Sequence, residues 1–164
     1  MALGLIPLRH LSLKLLIAEA SILIENYFEQ YPGIQNYIDS TCSMAKEKKY
    51  VKTILGRKRP IWDADSDNGL RRQAAERMAI NMPIQGSSAE MIKIAMIRIA
   101  EEISKLNLRS KLVLQIHDEL IFEFPLQEEE VLIKLVIDKM ENAMKLNVPI
   151  VVDYGIGNSW YEAH

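Results

Sequence analysis

The chain is 164 residues long, about the size of one domain, and a chain of that size buries roughly two-thirds of its unfolded surface. With 49% hydrophobic and 26% charged residues, few Gly or Pro and one cysteine, it falls outside the disordered, fibrous and disulfide-stapled classes. The net charge of −2 hides an asymmetry: ten acids face three bases from His117 onward, whereas Lys46 to Arg59 holds seven bases and one acid. A basic stretch suits a polyanion partner, and it equally suits a solvated face. Cys42 can pair with nothing inside the chain, which points to a reducing, cytoplasmic setting. The most apolar window, Leu11 to Ile24, is interrupted by Lys14 and Glu19, and the leading MALGLIPLR has no basic start. Neither a membrane span nor a signal peptide is expected.

In chain order, Leu13, Leu16, Ile17, Ala20, Leu23, Ile24, Tyr27 and Phe28 recur at helical spacing. They predict an amphipathic helix stopped at Tyr31-Pro32-Gly33, with a second helix over about Ile34 to Lys48. YVKTILGRKRPI (Tyr50 to Ile61) predicts two short strands around Gly56, with Pro60 placing the second at a sheet edge. A polar loop, Asp63 to Gly69, leads into a long helical pattern from Leu70 to Lys105. Pro83 lies inside that pattern and predicts a kink or restart, because proline lacks an N–H and crowds the carbonyl of Ala79. Ser87-Ser88-Ala89-Glu90 has the spacing of a capping box for the restart, followed by a core stripe of Ile92, Ala95, Met96, Ile99, Ala100 and Ile103. KLVLQIHDELIFEFP (Lys111 to Pro125) predicts a β-hairpin with two buried apolar arms. Glu128 to Leu146 predicts a helix whose first-turn acids suit its dipole. Pro149 to Tyr154 predicts a last strand. With no repeat and no linker, the reading is one α+β unit.

Two groups of residues could carry chemistry. The hairpin tip, His117-Asp118-Glu119, has no glycine where tight turns favour one. Its adjacent carboxylates repel each other until a cation relieves them. Oxygen ligands of this kind suit Mg²⁺ or Mn²⁺ better than zinc, and a solvated acidic turn is the plain alternative. Arg77, Asn81 and Gln85, four residues apart, fall on one helix face with groups suited to phosphates, sugars or minor-groove acceptors. Here the plain alternative is a polar stripe that bonds neighbouring loops. Asp63, Asp65 and Asp67 alternate like a calcium loop but lack its glycine and its closing glutamate. Gly155-Ile156-Gly157 lacks the third glycine of a dinucleotide site. Cys42, His10 and His164 have no partners at ligand spacing.

Four blocks stand in order along the chain: YFEQYPGIQNYI (Tyr27 to Ile38), YVKTILGRKRPI (Tyr50 to Ile61), RRQAAERMAINMPIQGSSAEMIKIAM (Arg71 to Met96) and QIHDELIFEFP (Gln115 to Pro125). The chain closes on VPIVVDYGIGNSWYEAH. Together they resemble the C-terminal portion of the bacterial family A DNA polymerases, over about residues 25 to 164. The resemblance implies a partial polymerase palm, an antiparallel β-hairpin plus one C-terminal strand, backed by helices and joined to part of the fingers. It implies a single unit over 1–164, with fingers-derived helices and the basic hairpin up to about residue 75 and palm-derived elements from about 76.

Carried over by position, Asp118 resembles the family's metal-binding palm aspartate, and Glu119 its less essential neighbour. His117 matches a histidine near the primer 3′ end. Arg77, Asn81 and Gln85 match residues that hold template and primer, and Arg57, Lys58 and Arg59 lie where the family has a basic hairpin. The implied reaction is attack of a primer 3′-hydroxyl on the α-phosphate of a deoxynucleoside triphosphate, with two Mg²⁺ ions, or Mn²⁺ as substitute, about 4 Å apart. The implied partners are primer-template DNA and deoxynucleoside triphosphates, not a membrane, in the bacterial cytoplasm at the nucleoid. The family's upstream metal-binding aspartate and its nucleotide-binding fingers helix have no counterpart in these 164 residues. The isolated chain is therefore expected to be inactive and prone to self-association through an unpaired sheet edge. The alternatives are a stand-alone, non-catalytic duplex-DNA-binding module and a folded remnant without DNA affinity.

Overall fold

The computed structural model describes residues 17–163. Helix α1 (Ile17–Gln30) and helix α2 (Pro32–Lys48) are separated by Tyr31 alone. Pro32 takes the first position of α2, where its missing N–H is not needed, so the expected turn is a single-residue joint. The apolar stripe of α1 meets few neighbours. Leu23, Ile24 and Tyr27 are exposed, and the Tyr27 ring rests on Phe28 and Tyr31. The first stripe residues, Leu13 and Leu16, lie outside the described residues, as do His10 and His164.

Strands β1 (Tyr50–Lys52) and β2 (Lys58–Pro60) pair antiparallel with Val51 opposite Arg59. Gly56, between them, takes a φ of 88°, a region open to glycine at little cost. A 3₁₀ turn, Trp62–Asp65, occupies the start of the expected polar loop. Asn68 then caps helix α3 (Gly69–Lys105) by accepting from the N–H groups of Leu70 and Arg71.

No restart occurs at Pro83: α3 runs unbroken for 37 residues, about 55 Å. Ser87 caps nothing. Its hydroxyl donates to the Pro83 carbonyl and accepts from the Ile54 N–H at 2.9 Å. Glu90, the expected second half of the capping box, is bonded to Arg57 instead. Both side chains are used for tertiary contact, so a local motif with the right spacing went unformed. Ile92, Ala95 and Ile99 of the predicted stripe are buried, whereas Ala100 faces solvent.

Helix α3 carries two cores. Its first half sets Ala75 and Ala79 against Ala45 of α2, Val51 of β1, and Ile61 and Ala64. Small side chains there let the backbones approach closely. Its second half sets Ala95 and Ile99 against Ala143 and a shell that includes Leu120, Phe122, Leu135 and Val136. Leu120 and Phe122 come from the hairpin of β3 (Lys111–Ile116) and β4 (Glu119–Glu123), Leu135 and Val136 come from helix α4 (Glu129–Glu141), and Ala143 follows that helix. The hairpin is antiparallel with a bulge between Leu112 and Leu114. Its two arms are not both buried, and Val113 on β3 is 60% exposed. A two-stranded sheet covered by helices on one face leaves the other face open.

Helix α4 ends well before Leu146. Asn142 Nδ2 bonds the Asp138 carbonyl and carboxylate, and Arg98 donates to the Asn142 carbonyl at 2.7 Å. These bonds satisfy groups that a helix end leaves open. The strand expected over Val151 to Asp153 is also absent. Residues 149–157 have no ladder partner among the described residues, and the Val152 N–H goes to Glu141 Oε1 at 3.2 Å. The fold is α+β with two separate two-stranded antiparallel sheets rather than a hairpin extended by a third strand. Helix α5 (Trp160–Ala163) folds back onto Gly155 and Gly157, where a Cβ would collide with the Ala163 carbonyl and with Glu162. No helix among the described residues is long and apolar enough to cross a membrane.

Candidate functional site

Arg77, Asn81 and Gln85 lie on the exposed face of α3. Because the helix passes Pro83 without a break, they form one continuous row about 6 Å apart along the axis. Among the described residues their side chains take no hydrogen-bond or ion-pair partner. Asn81 and Gln85, with Met78, Met82 and Gly86, line a groove of about 370 Å³ that is closed by Arg59 from β2. Arg77, one turn before Asn81, does not line the groove.

The basic hairpin is held against α3 by specific contacts. Gly86 leaves room for Thr53, whose Cγ2 would sit 2.7 Å from a Cβ at that position. Thr53 Oγ1 accepts from the Arg57 N–H at 3.0 Å, and Ser87 takes the Ile54 N–H. Arg57 Nε donates to Glu90 Oε1 at 2.9 Å. The three cations of the hairpin therefore differ in circumstance. Arg57 is ion-paired, Lys58 sits 4.5 Å over the Tyr50 ring, and Arg59 faces the groove. The sequence carries no sign of these docking roles for Thr53 and Gly86 and offers Ser87 and Glu90 only as a capping box, since each acts here across more than 30 positions.

At the other hairpin, His117 and Asp118 form a two-residue tip and Glu119 opens β4 opposite Ile116. His117 takes a φ of 52°, at the turn position where glycine is the usual residue. An L-residue there costs on the order of 1 kcal/mol. Gln115 Nε2 braces the tip by donating to the His117 carbonyl at 3.0 Å. The Asp118 carboxylate stands exposed at the apex without a protein partner among the described residues, and Glu119 is half-buried. Leu120 and Phe122 tie this tip to the second core. None of His117, Asp118 and Glu119 lines the groove beside Arg59.

No three His, Cys, Asp or Glu side chains among the described residues gather into a metal-binding group. Asp118 and Glu119, adjacent at the hairpin tip, are two carboxylates and do not by themselves make such a group. Asp65, from the loop that only mimics a calcium site, is engaged by Lys49, whose ammonium holds its carboxyl below the usual range. Burial, and then the Glu76 carboxylate, push the Cys42 thiol up from its ordinary value.

Residues 9–162 match the family model described as DNA polymerase family A, and the chain belongs to that family. It is 48% identical over 145 residues to a DNA polymerase I of Bacillus caldotenax and 43% identical over 150 residues to one of Caldicellulosiruptor bescii. Those matches cover 88% and 92% of this chain but span only 16% and 18% of the relatives. Among solved structures it resembles the POL domain of Pol1 from M. smegmatis in complex with DNA primer-template and dNTP. The TM-score is 0.86 and the identity 43%, over 89% of this chain and 26% of that one.

Proposed function

We propose that the chain supplies the C-terminal portion of a DNA-directed DNA polymerase. The observation that carries this reading is the exposed, unpartnered row Arg77, Asn81 and Gln85 beside the groove closed by Arg59. A polymerase must hold any sequence, so it relies on phosphates and on minor-groove acceptors common to all base pairs. A guanidinium and two amides along one rigid helix meet that need. The part up to about residue 75 belongs to the fingers and the part after it to the palm, joined by α3 with no linker between them.

Asp118, with Glu119 beside it, would hold a divalent cation. With a second ion, it would supply activation of the primer 3′-hydroxyl and charge stabilisation for the departing pyrophosphate. The chain's own contribution is geometric. The strained His117 and the Gln115 bond fix the apex that carries the exposed Asp118 carboxylate, and by the family resemblance His117 would lie near the primer terminus. The substrates are primer-template DNA and deoxynucleoside triphosphates, in the bacterial cytoplasm at the nucleoid. By itself the 164-residue chain binds duplex DNA without extending it, because the family's upstream metal-binding aspartate and nucleotide-binding helix have no counterpart in these residues. Its exposed apolar faces draw copies together.

The test replaces the matching segment of the Bacillus caldotenax polymerase with this chain. The chimera is expected to extend a primed template, and Asp118→Ala to slow extension at least about a hundredfold, the scale on which one transition-state contact acts. Arg77→Ala is expected to weaken DNA binding and flatten its salt dependence by about one unit of slope. A chimera that extends equally well with Asp118→Ala overturns the reading, as does duplex binding indifferent to Arg77.

A further inference from the structure

Glu90, which helps hold the basic hairpin against α3, has unusual surroundings. It sits on α3 with 8% of its side chain exposed. Its Oε1 accepts from Arg57 Nε at 2.9 Å, and its Oε2 is buried without a partner among the described residues. The Arg57 side chain is 60% exposed. Its terminal nitrogens have no protein partner among the described residues, so that end of the guanidinium is open to solvent. A carboxylate buried with half its acceptors idle is a weak source of stability, because desolvation offsets the attraction. The pair does fix geometry. A guanidinium gripped through Nε presents its remaining N–H groups in a set direction, the arrangement that recognises phosphate oxygens with two parallel bonds.

We infer that Glu90 is a positioning residue for DNA binding, holding Arg57 so that its free nitrogens meet a backbone phosphate of a duplex lying across the face of the groove beside Arg59. The inference rests on the polymerase reading of that groove. The same ion pair, with the Ser87 bond to Ile54, docks the turn of the basic hairpin on α3 and so sets where Arg59 stands. Glu90 touches no substrate and acts through Arg57.

The test uses the full chain and a primed duplex, with binding followed across a salt series. Glu90→Leu fills the buried site with an apolar group of similar reach and releases Arg57. Its melting temperature is expected to stay level or rise. Its duplex affinity is expected to fall roughly fivefold, the scale of one exposed ion pair, with the salt slope lower by about one. Arg57→Ala in the Glu90→Leu background is expected to add no further loss. A folded Glu90→Leu chain that binds like the wild type overturns the inference, and so do losses that add. A second measurement needs no variant: ¹⁵N spectra of the wild type should show a slowly exchanging Arg57 Nε–H, with the Nη signals shifting as duplex is added. Unmoved Nη signals at saturation overturn the inference while leaving the polymerase reading intact. A wild-type chain that binds no duplex at low salt overturns both.

Discussion

The Glu128 carboxylate accepts from a single short loop: the Arg109 N–H reaches its oxygens at 2.9 and 3.0 Å, and the Ser110 N–H and hydroxyl reach Oε2 at 2.9 and 2.6 Å. It latches the chain entering α4 to the chain entering β3, and so fixes the base of the hairpin that carries Asp118. The Ser110 hydroxyl, then the Arg109 N–H, hold its carboxyl below the ordinary glutamate range. The folded state therefore favours the ionised form more than the unfolded state does. Its contribution is fully present above the unfolded value of about 4.3, and is lost as pH falls through the lower folded value. Urea midpoints measured between roughly pH 3 and 6 should show the wild type losing stability toward acid. Glu128→Gln should lower the midpoint at neutral pH and flatten that dependence. An unchanged pH profile in the variant would exclude Glu128 as a source of the slope.

At the scale of elements, the decisive contact is the crossing of α3 with the turn of the basic hairpin. Gly86 lies where Thr53 Cγ2 comes within 2.7 Å of a would-be Cβ, and Thr53 is itself buried and stiff at χ1. Two effects oppose each other in Gly86→Ala. Helix preference favours alanine by about 1 kcal/mol, whereas overpacking costs about 1 to 3 kcal/mol. Overpacking wins, and a net loss of about 1 kcal/mol is expected in urea denaturation. Thr53→Ser removes Cγ2 and keeps the hydroxyl that accepts from Arg57. In that background Gly86→Ala should stabilise by a few tenths to about 1 kcal/mol. The same sign in both backgrounds would mean that the close approach is not what constrains this glycine.

At the scale of the whole molecule, α3 is a spine about 55 Å long that joins two small cores. One lies under the basic hairpin and the other under the acidic one. Large apolar side chains remain outside both cores, among them Ile22, Leu23 and Ile24 on α1, Val113 and Leu114 on β3, and Val151, Tyr154 and Tyr161 near the C-terminus. Exposed large apolar side chains in such number favour association. Sedimentation of the isolated chain should show a weight-average mass that rises with concentration above 18.8 kDa. A single 18.8-kDa species at high concentration would count against it.

Much of the fold follows from the sequence alone. Helical spacing located α2 and α3, the run around Gly56 located the basic hairpin, and the apolar arms around His117-Asp118 located the acidic one. Those patterns are local, and each element is specified by its own side-chain period. The identity of the family was equally legible, because the blocks around Arg77, Asn81 and Gln85 and around Asp118 lie in order along the chain. Tertiary structure decided the rest. Pro83 was carried through α3, Ser87 and Glu90 were taken from a capping box to dock a hairpin, α4 stopped at Asn142, and the Val152 N–H went to Glu141 instead of a third strand. Ser87 and Glu90 bond partners 33 residues away, Arg98 takes the Asn142 carbonyl from 44 residues away, and Glu141 takes the Val152 N–H from the far side of a loop. A local pattern cannot register such contacts, because they depend on which residues the fold brings within reach.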